Sequence, residues 1–333
     1  MRTLLLPLIW VIAAVAAAFS APSAGHAACG KISIAEMTWA SAAVAAHMEK
    51  IILQKGYGCE VELVPGDTVP TSTSMAERGE PDIAPEIWLN STRAVIDRGV
   101  AEGRLKMAGN ILSDGGDEGW WLPKAFIAIH PELTSLAAVL KRPDLFPDPE
   151  EPGKGRFYGC PSGWGCQISN DNLFRGYKMK QAGFAMFDPG SGEGLAGASA
   201  KAVNRGEPIF TYYWAPTALL GKYAMVKLSG MSHEPKNWPC MVKLDCAAPA
   251  PNGFPSSDVV TVTTAKFAAR APEAFAFIAQ VSWPNSTVQK ILAWQDENRA
   301  DAEETAEYFL KNFKNIWTKW VPPELVARIA KGL

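Results

Sequence analysis

The sequence predicts an α/β fold of two similar lobes with a ligand cleft between them. Strand-like and helix-like segments alternate along the chain, which is typical of lobes built on mainly parallel sheets. The 333 residues exceed the length of one average domain, so two lobes are expected. The order helix end, Gly, strand, Trp occurs in residues 78–88 and again in residues 205–214. Both copies begin with Arg-Gly-Glu-Pro, a match short enough to arise by chance, but the shared order predicts that each lobe presents a Trp to the cleft.

Residues 1–28 are interpreted as a secretory signal peptide and not as part of the fold. Arg2 supplies the positive start, residues 4–19 are continuously apolar, and small residues follow. Export of this kind predicts that the mature chain lies in the periplasm. A lipid anchor at Cys29 is not expected, because the preceding His-Ala-Ala lacks the Leu that usually begins a lipidation signal.

The mature chain is predicted to open as a strand–helix–strand unit. A strand near residues 32–35 leads past Trp39 into a helix over residues 41–54, which has an apolar face and ends at a Lys-Gly pair. A later strand over residues 82–87 runs into Trp88. In open α/β sheets ligands bind beyond the carboxyl ends of the strands, so both Trp side chains lie where a ligand is expected.

The second lobe is predicted to begin near residue 119, where Trp120 opens a new apolar segment. Residues 229–256, rich in Pro, Gly and Ser, are interpreted as the return crossing. The predicted bounds are residues 29–118 together with about 253–333 for the first lobe, and residues 119–252 for the second. Further elements are expected as a helix over residues 169–181, a strand over 259–262, and helices over 272–281, 286–294, 302–312 and 323–330.

The 6 Cys residues are expected to form disulfides, because export leads to an oxidising compartment. Six Cys allow 15 pairings. Spacing favours Cys160–Cys166 and Cys240–Cys246, which leaves Cys29 with Cys59. Zinc is a weaker alternative, because there is no CxxC pair and the 4 His are scattered, so no metal site and no cofactor are predicted.

The turn from Cys160 to Cys166 is the most informative segment. It holds Trp164 between two Gly residues, which leaves little local structure to cover the indole. The backbone N–H groups of Gly165 and Cys166 lie just ahead of a predicted helix, where a carboxylate is favoured. The alternative is an ordinary disulfide-closed turn. An exposed indole beside free N–H groups suits a ligand with a cation at one end and an anion at the other.

A quaternary ammonium has no N–H to donate, so aromatic faces are its natural receptor. Candidates for such faces follow predicted strands or turns, and they are Trp39, Trp88, Trp120, Trp164 and Trp214. The alternative is that these side chains belong to the hydrophobic core, as most large aromatic side chains do.

Other classes of function find little support in the sequence. A net charge of −2 gives no electrostatic argument for nucleic acid. No GxSxG, HExxH or Walker sequence is present, so the chain is not predicted to be an enzyme. An exported enzyme acting on choline derivatives remains as a remote alternative.

Over about residues 29–333 the chain resembles the substrate-binding proteins of ABC importers for glycine betaine, proline betaine and choline, the OpuAC-like group. The resemblance is carried by Gly163-Trp164-Gly165-Cys166 with Cys160, and is supported by residues 213–216 (Tyr-Trp-Ala-Pro) and by Ile87-Trp88. It implies a two-lobed periplasmic-binding-protein fold, type II-like, that closes on a ligand in the interlobe cleft. It also implies an inner-membrane ABC permease with its ATPase as partner, and we expect a monomer.

In the glycine betaine branch, the resemblance implies a cage made of Trp88, Trp164 and Trp214. The ligand carboxylate would then lie on the amides of Gly165 and Cys166. That branch has a His four positions after the first cage Trp, where this chain has Thr92, which can still donate a hydrogen bond.

In the choline branch, the cage resembles Trp39, Trp88, Trp120 and Trp214, with an acid two residues after the first. This chain has Ser41 at that place, so the acid is missing. The sequence therefore favours a carboxylated betaine, glycine betaine or proline betaine. Choline, carnitine, another small zwitterion or a solute stacked on aromatic rings such as a sugar are the alternatives.

Overall fold

The computed structural model describes residues 29–333, so the predicted signal peptide lies outside the described residues. Two five-stranded sheets, each combined with helices, confirm the predicted α/β fold of two lobes. Within residues 29–333, no helix combines the length and apolar character needed to cross a membrane.

The first lobe begins with strand–helix repeats, as expected from the alternation in sequence. Its elements are β1 (Lys31–Met37), α1 (Ala40–Ile52), β2 (Glu60–Gly66), α2 (Thr68–Arg78), β3 (Ile83–Trp88), α3 (Leu89–Ala101) and β4 (Leu105–Asn110). The helix α1 continues into a π-helical turn over Leu53–Tyr57 before the chain reverses at Gly58.

The second lobe follows directly after a short crossing. Its elements are β5 (Asp117–Pro123), α4 (Lys124–Ile129), α5 (Leu136–Val139), β6 (Gly155–Tyr158), α6 (Gly165–Gly176), β7 (Phe184–Phe187), α7 (Gly192–Arg205), β8 (Phe210–Ala215), α8 (Ala218–Lys222), β9 (Met225–Lys227) and α9 (Trp238–Met241). A 3₁₀ turn over Pro143–Leu145 precedes β6.

The chain then returns to the first sheet. The last elements are β10 (Val259–Thr264), α10 (Ala265–Arg270), α11 (Pro272–Ile278), α12 (Asn285–Asn298), α13 (Ala302–Asn312), α14 (Lys314–Trp317) and α15 (Pro323–Lys331). Strand β10 lies between β3 and β4 and runs antiparallel to both. The first sheet therefore contains strands from two separate parts of the chain, while the exact predicted bounds of the lobes stay a prediction.

The two sheets share one topology. The first has the order β2-β1-β3-β10-β4 and the second the order β7-β6-β8-β5-β9. In each, three parallel strands are followed by one antiparallel strand that joins them to an edge strand. Strands β3 and β8 occupy the same central place, so Trp88 at the end of β3 and Trp214 near the end of β8 reach the same cleft.

The repeated Gly residues end equivalent helices. Gly79 closes α2 with φ of 74° and Gly206 closes α7 with φ of 66°, both in the left-handed region. Glycine adopts this backbone without a Cβ clash, so it ends the helix and turns the chain into the next strand. The repeat in the sequence therefore has a structural cause in both lobes.

The structure contains three disulfides, Cys29–Cys59, Cys160–Cys166 and Cys240–Cys246, the pairs that spacing favours. The first joins the chain just before β1 to the chain just before β2, two neighbouring parallel strands. The other two each close a loop with a separation of 6 residues on the second-lobe side.

Candidate ligand-binding site

Four tryptophans surround a small cavity between the lobes, and we call them the Trp cage: Trp39, Trp88, Trp164 and Trp214. The ring centroids of Trp39 and Trp164 are 5.3 Å apart, and those of Trp164 and Trp214 are 5.0 Å apart. Both pairs meet edge to face, and all four indoles line the enclosed space. Aromatic faces arranged in this way can hold a cation.

The first-lobe half of the cage is fixed by one carboxylate. The Nε1 atoms of Trp39 and Trp88 donate to Glu86 Oε1 at 2.7 and 3.0 Å, and Ser41 Oγ donates to the same oxygen at 3.0 Å. Glu86 and Trp88 are two residues apart on β3, so their side chains leave the same face of the sheet. Burial raises the pKa of Glu86, although its hydrogen bonds oppose this shift. Its Oε2 is buried without a partner among the described residues.

The second-lobe half of the cage comes from a helix start and a strand end. Trp164 is the N-cap residue of α6, and its Nε1 donates to Thr38 Oγ1 of the first lobe at 2.9 Å. The Trp214 ring stacks on Tyr213, with ring centroids 4.8 Å apart. The orientation of Trp164 therefore depends on a partner in the opposite lobe.

A second buried carboxylate, Glu118, lines the same cavity. Its Oε1 accepts a hydrogen bond of 2.6 Å from the Tyr212 hydroxyl, and its Oε2 accepts one from Asn90 Nδ2. Burial raises the pKa of Glu118, while the hydrogen bonds from Tyr212 and Asn90 oppose the rise. Asn90 Oδ1 is buried and has no partner within residues 29–333. The cavity thus combines aromatic walls with a polar end.

Gly165 and Cys166 also line the cavity, as the first two residues of α6. Their N–H groups are among those that no carbonyl of the same helix can satisfy. Gly165 packs so closely against Ser91 and Thr68 of the first lobe that any Cβ would clash with Ser91. The lobes are therefore closed on each other at this point, and only glycine fits.

Two predicted site residues lie away from the cavity. Thr92 is buried on α3, and its Oγ1 donates to the Trp88 carbonyl at 2.9 Å, one helical turn back. Trp120 has no exposed surface and packs against Phe157 in the core of the second lobe, with centroids 4.7 Å apart. Its Nε1 donates to Asn170 Oδ1 at 2.7 Å. Neither side chain lines the Trp cage.

A model of the OpuAC family, described as the substrate binding domain of ABC-type glycine betaine transport system, matches residues 30–312. The chain belongs to the OpuAC family. It is therefore the substrate-binding component of an ABC importer of the glycine betaine and choline type, and the resemblance stated from the sequence is confirmed.

Solved structures similar to this OpuAC chain include three receptors. One is the glycine betaine/L-proline-binding protein ProX of an ABC transporter from Borrelia burgdorferi, with 16% identity, 90% of this chain and 99% of that chain covered, and a TM-score of 0.70. Another is lactococcal OpuAC in its closed conformation with glycine betaine. Its identity is 17%, the match covers 88% of this chain and 100% of that chain, and the TM-score is 0.65. The third is an ABC-transporter choline binding protein in complex with choline. Its identity is 18%, the match covers 91% of this chain and 98% of that chain, and the TM-score is 0.68. At these identities the likeness is one of fold.

A larger groove lies beside the cage on this OpuAC fold, with a volume of about 360 Å³. Trp39 and Trp214 form part of its wall, and most of the remainder comes from small or apolar side chains of α7, α8 and α12. Lys222 and Asp296 also line it and form an ion pair of 2.7 Å between α8 and α12. The four indoles, the buried carboxylate of Glu118 and the first two residues of α6 line one cavity at the Trp cage, whereas only two of these indoles line the groove.

Reasoning from the sequence missed the two buried acids of the OpuAC cage. A signal was present, because Glu86 and Glu118 each stand two residues before a Trp within an apolar strand. An acid in a buried strand must find partners, and alternation places it on the same face as that Trp. Asn90 and Tyr212 carried no such signal, since closure of the lobes brings Asn90 to Glu118 and the pairing of β8 with β5 brings Tyr212 there.

Proposed function

We propose that this receptor captures a compact quaternary ammonium compound, glycine betaine or proline betaine, in the Trp cage. The observation that carries the proposal is the convergence of four indoles, a buried carboxylate and two helix-start amides on one cavity. The cation would lie among the aromatic rings. The ligand carboxylate would lie at the polar end, toward Gly165 and Cys166.

The aromatic part of the site suffices for useful affinity. A desolvated cation–π contact contributes roughly 0.5–2 kcal/mol, so four such contacts approach the ~8 kcal/mol that micromolar binding requires once the anion is also held. Burial raises the pKa of Glu86, but the three hydrogen bonds that it accepts favour its ionised form. When ionised, Glu86 adds negative potential behind Trp39 and Trp88, which favours a cation over a neutral solute. A neutral sugar would gain nothing from this buried carboxylate.

Glu118 matters for the anionic half of the ligand. A ligand carboxylate close to an ionised Glu118 would be repelled. Because burial raises the pKa of Glu118, the side chain can take up a proton and then donate a hydrogen bond to the ligand carboxylate. We therefore expect betaine binding to weaken as the pH rises through the pKa of Glu118.

A receptor for choline, carnitine or another small zwitterion is the second candidate, and Glu118 is the observation that favours it. An ionised Glu118 would accept a hydrogen bond from a ligand hydroxyl and balance the ammonium charge. The choline branch has an acid at the position of Ser41. In this chain the Ser41 hydroxyl donates to Glu86, so Glu86 supplies a carboxylate at that place. Choline binding that strengthens with rising pH would favour this candidate over a betaine receptor.

The cellular role follows from the family. We infer that residues 1–28 are removed on export and that the receptor acts in the periplasm as a monomer. It hands its ligand to an inner-membrane permease driven by an ATPase, with the segments near residues 111–117 and 254–258 as the hinge between the lobes. Gly116 and Ser257 pair with each other in these two segments. No chemical step by the receptor is required.

Calorimetry with glycine betaine, proline betaine, carnitine and choline tests the proposal directly. At least one should bind with a dissociation constant well below about 1 mM. Replacing Trp164 with Ala should then weaken binding by at least about tenfold, because one cage wall and its cation–π contact are lost. Absence of binding by all four compounds would refute the proposed function. Unchanged affinity in Trp164→Ala would show that Trp164 is only structural.

A further inference from the structure

The loop closed by Cys240–Cys246 is tied firmly to the second lobe. We call residues 237–246 the Cys240 loop. The side-chain amide of Asn172 on α6 donates to the carbonyls of Met241 and Lys243 at 2.9 and 2.8 Å. Arg175, also on α6, donates to the Cys246 carbonyl at 2.9 Å. These bonds and the disulfide make the loop part of the same rigid unit as α6, the helix that begins at the Trp cage.

One side chain of the Cys240 loop crosses to the first lobe. The Nε1 atom of Trp238 donates to the backbone carbonyl of Asn90, at the start of α3, at 2.8 Å. The Trp238 side chain is buried, with its ring 5.5 Å from His233 and 5.8 Å from Phe254. A buried indole N–H needs an acceptor, and here its acceptor belongs to the opposite lobe.

Trp238 is also linked to both residues that donate hydrogen bonds to Glu118, namely Asn90 and Tyr212. Asn90, whose carbonyl it holds, donates its side-chain amide to Glu118. Phe254, which contacts Trp238, packs against the ring of Tyr212 at 5.8 Å, and Tyr212 donates to Glu118 from the other side. The Cys240 loop therefore contacts Asn90 directly and reaches Tyr212 through Phe254, although it does not line the cavity itself.

We infer that Trp238 is a positioning residue that latches the closed lobes and holds Asn90 in place for the ligand. The inference rests on the proposed function, since it concerns closure around a bound ligand. Trp238 moves with α6 and Asn90 moves with α3, so their hydrogen bond exists in the closed form and is broken when the lobes separate. The latch therefore stabilises the closed form selectively and slows the release of the ligand.

Trp238→Phe tests this by removing the N–H while keeping an aromatic ring in place. One neutral hydrogen bond corresponds to a factor of about three to ten in a binding constant. We expect the dissociation constant for glycine betaine to rise by about that factor, with most of the change in the release rate measured by stopped-flow Trp fluorescence. The unfolding midpoint of the ligand-free protein should not change, because the open form lacks the bond.

Trp317→Phe is the matched control. The Nε1 atom of Trp317 donates to the Leu310 carbonyl at 2.8 Å, and both residues belong to the C-terminal helices of the first lobe. Its loss should lower the unfolding midpoint and leave the release rate of glycine betaine unchanged. The two variants remove the same type of bond at the same distance, one between lobes and one within a lobe.

The outcomes separate the latch from the proposed function. If the wild type binds glycine betaine and Trp238→Phe releases it at the wild-type rate, the latch is refuted while the proposed function stands. Equal effects of Trp238→Phe and Trp317→Phe on release would refute it as well. If the wild type binds choline or carnitine and no betaine, the same comparison of release rates with that ligand decides, and equal rates for Trp238→Phe and the wild type overturn the inference.

Discussion

Trp39 and Trp88 donate their indole N–H groups to one carboxylate oxygen of their own lobe, whereas Trp164 donates to a hydroxyl of the opposite lobe. Trp214 relies on stacking with Tyr213. The two halves of the Trp cage thus come from sheets of the same topology but are held by different means.

This difference has a consequence for binding. The first-lobe half keeps its geometry when the lobes are open, because Glu86, Ser41 and both indoles move together. The second-lobe half gains its orientation on closure, when Thr38 reaches Trp164. A ligand would therefore meet a preformed half-cage first and complete the site by closing the lobes, which limits the ordering that binding requires.

The largest expected effect comes from Glu86→Leu, which removes the acceptor shared by Trp39, Trp88 and Ser41. In the open form the indoles can turn to water, but on closure they are buried without an acceptor. Each unpaired N–H costs about 1–3 kcal/mol, so the affinity measured by calorimetry should fall at least about thirtyfold. Glu86→Gln retains an acceptor oxygen and should lose much less.

Trp120→Phe is the control for Glu86→Leu. It removes an indole hydrogen bond of 2.7 Å to Asn170, but in the core of the second lobe. We expect a lower unfolding midpoint, by a few degrees, and an affinity within about twofold of the wild type. A loss of affinity as large as that of Glu86→Leu would show that Trp120 belongs to the site and would remove the contrast between the two halves.

A smaller effect is expected for Thr38→Val, which removes the acceptor of Trp164 in the opposite lobe at nearly constant volume. Thr38 also donates to Asp67 within the first lobe, but that bond is present whether the lobes are open or closed. The bond from Trp164 is the one lost in the closed form, so the dissociation constant for the bound betaine should rise about three- to tenfold by calorimetry. Thr92→Val breaks a bond of 2.9 Å within the first lobe and should change affinity by less than about twofold. Equal effects of the two variants would mean that Trp164 is oriented before closure.

The sequence predicted the parts of the molecule that depend on local pattern. The helix predicted over residues 302–312 has those bounds in the structure, because Asp301 and Glu304 form a capping box and the apolar spacing is regular. The helix predicted over residues 169–181 covers Gly165–Gly176 instead, because the turn at Trp164 itself starts the helix and a series of turns follows Gly176. The residues between Cys160 and that helix gave no periodic signal to locate the start.

Local pattern was less informative about the cage. Trp39, Trp88, Trp164 and Trp214 follow strands or a Gly-flanked turn, and those positions predicted their convergence. Trp120 was predicted to open the second lobe beside the cleft, but it lies in the middle of β5 and points into the core, because the face of a strand on which a residue lies depends on register with neighbouring strands. The contact of Asn90 with Glu118 joins residues of different lobes, and a local sequence pattern does not predict such a contact.

The cores of the two lobes differ as well. In the second lobe, the buried Arg156 and Asp148 form an ion pair of 2.7 Å. In the first lobe, Glu49 on α1 is fully buried, and neither carboxylate oxygen has a hydrogen-bond partner in the described part of the chain. Burial raises the pKa of Glu49 well above its ordinary value of 4.5. A paired charge can stay ionised in a core, whereas an unpaired carboxylate is held there in its neutral form.

Glu49→Gln should therefore act on stability and not on affinity. Because the folded pKa of Glu49 lies above the unfolded one, the folded state binds more protons, and stability is lost as the pH rises from about 4.5 through the folded pKa. Gln carries no charge, so the stability of the variant should fall less as the pH rises. Glu86 and Glu118, whose pKa values burial also raises, still contribute to the fall in both proteins. The ligand-free midpoint, followed by circular dichroism, should exceed that of the wild type by a few degrees at about pH 8 and match it at about pH 4. A difference that does not change with pH would mean that Glu49 does not titrate on folding, and the contrast between the two cores would then be one of packing alone.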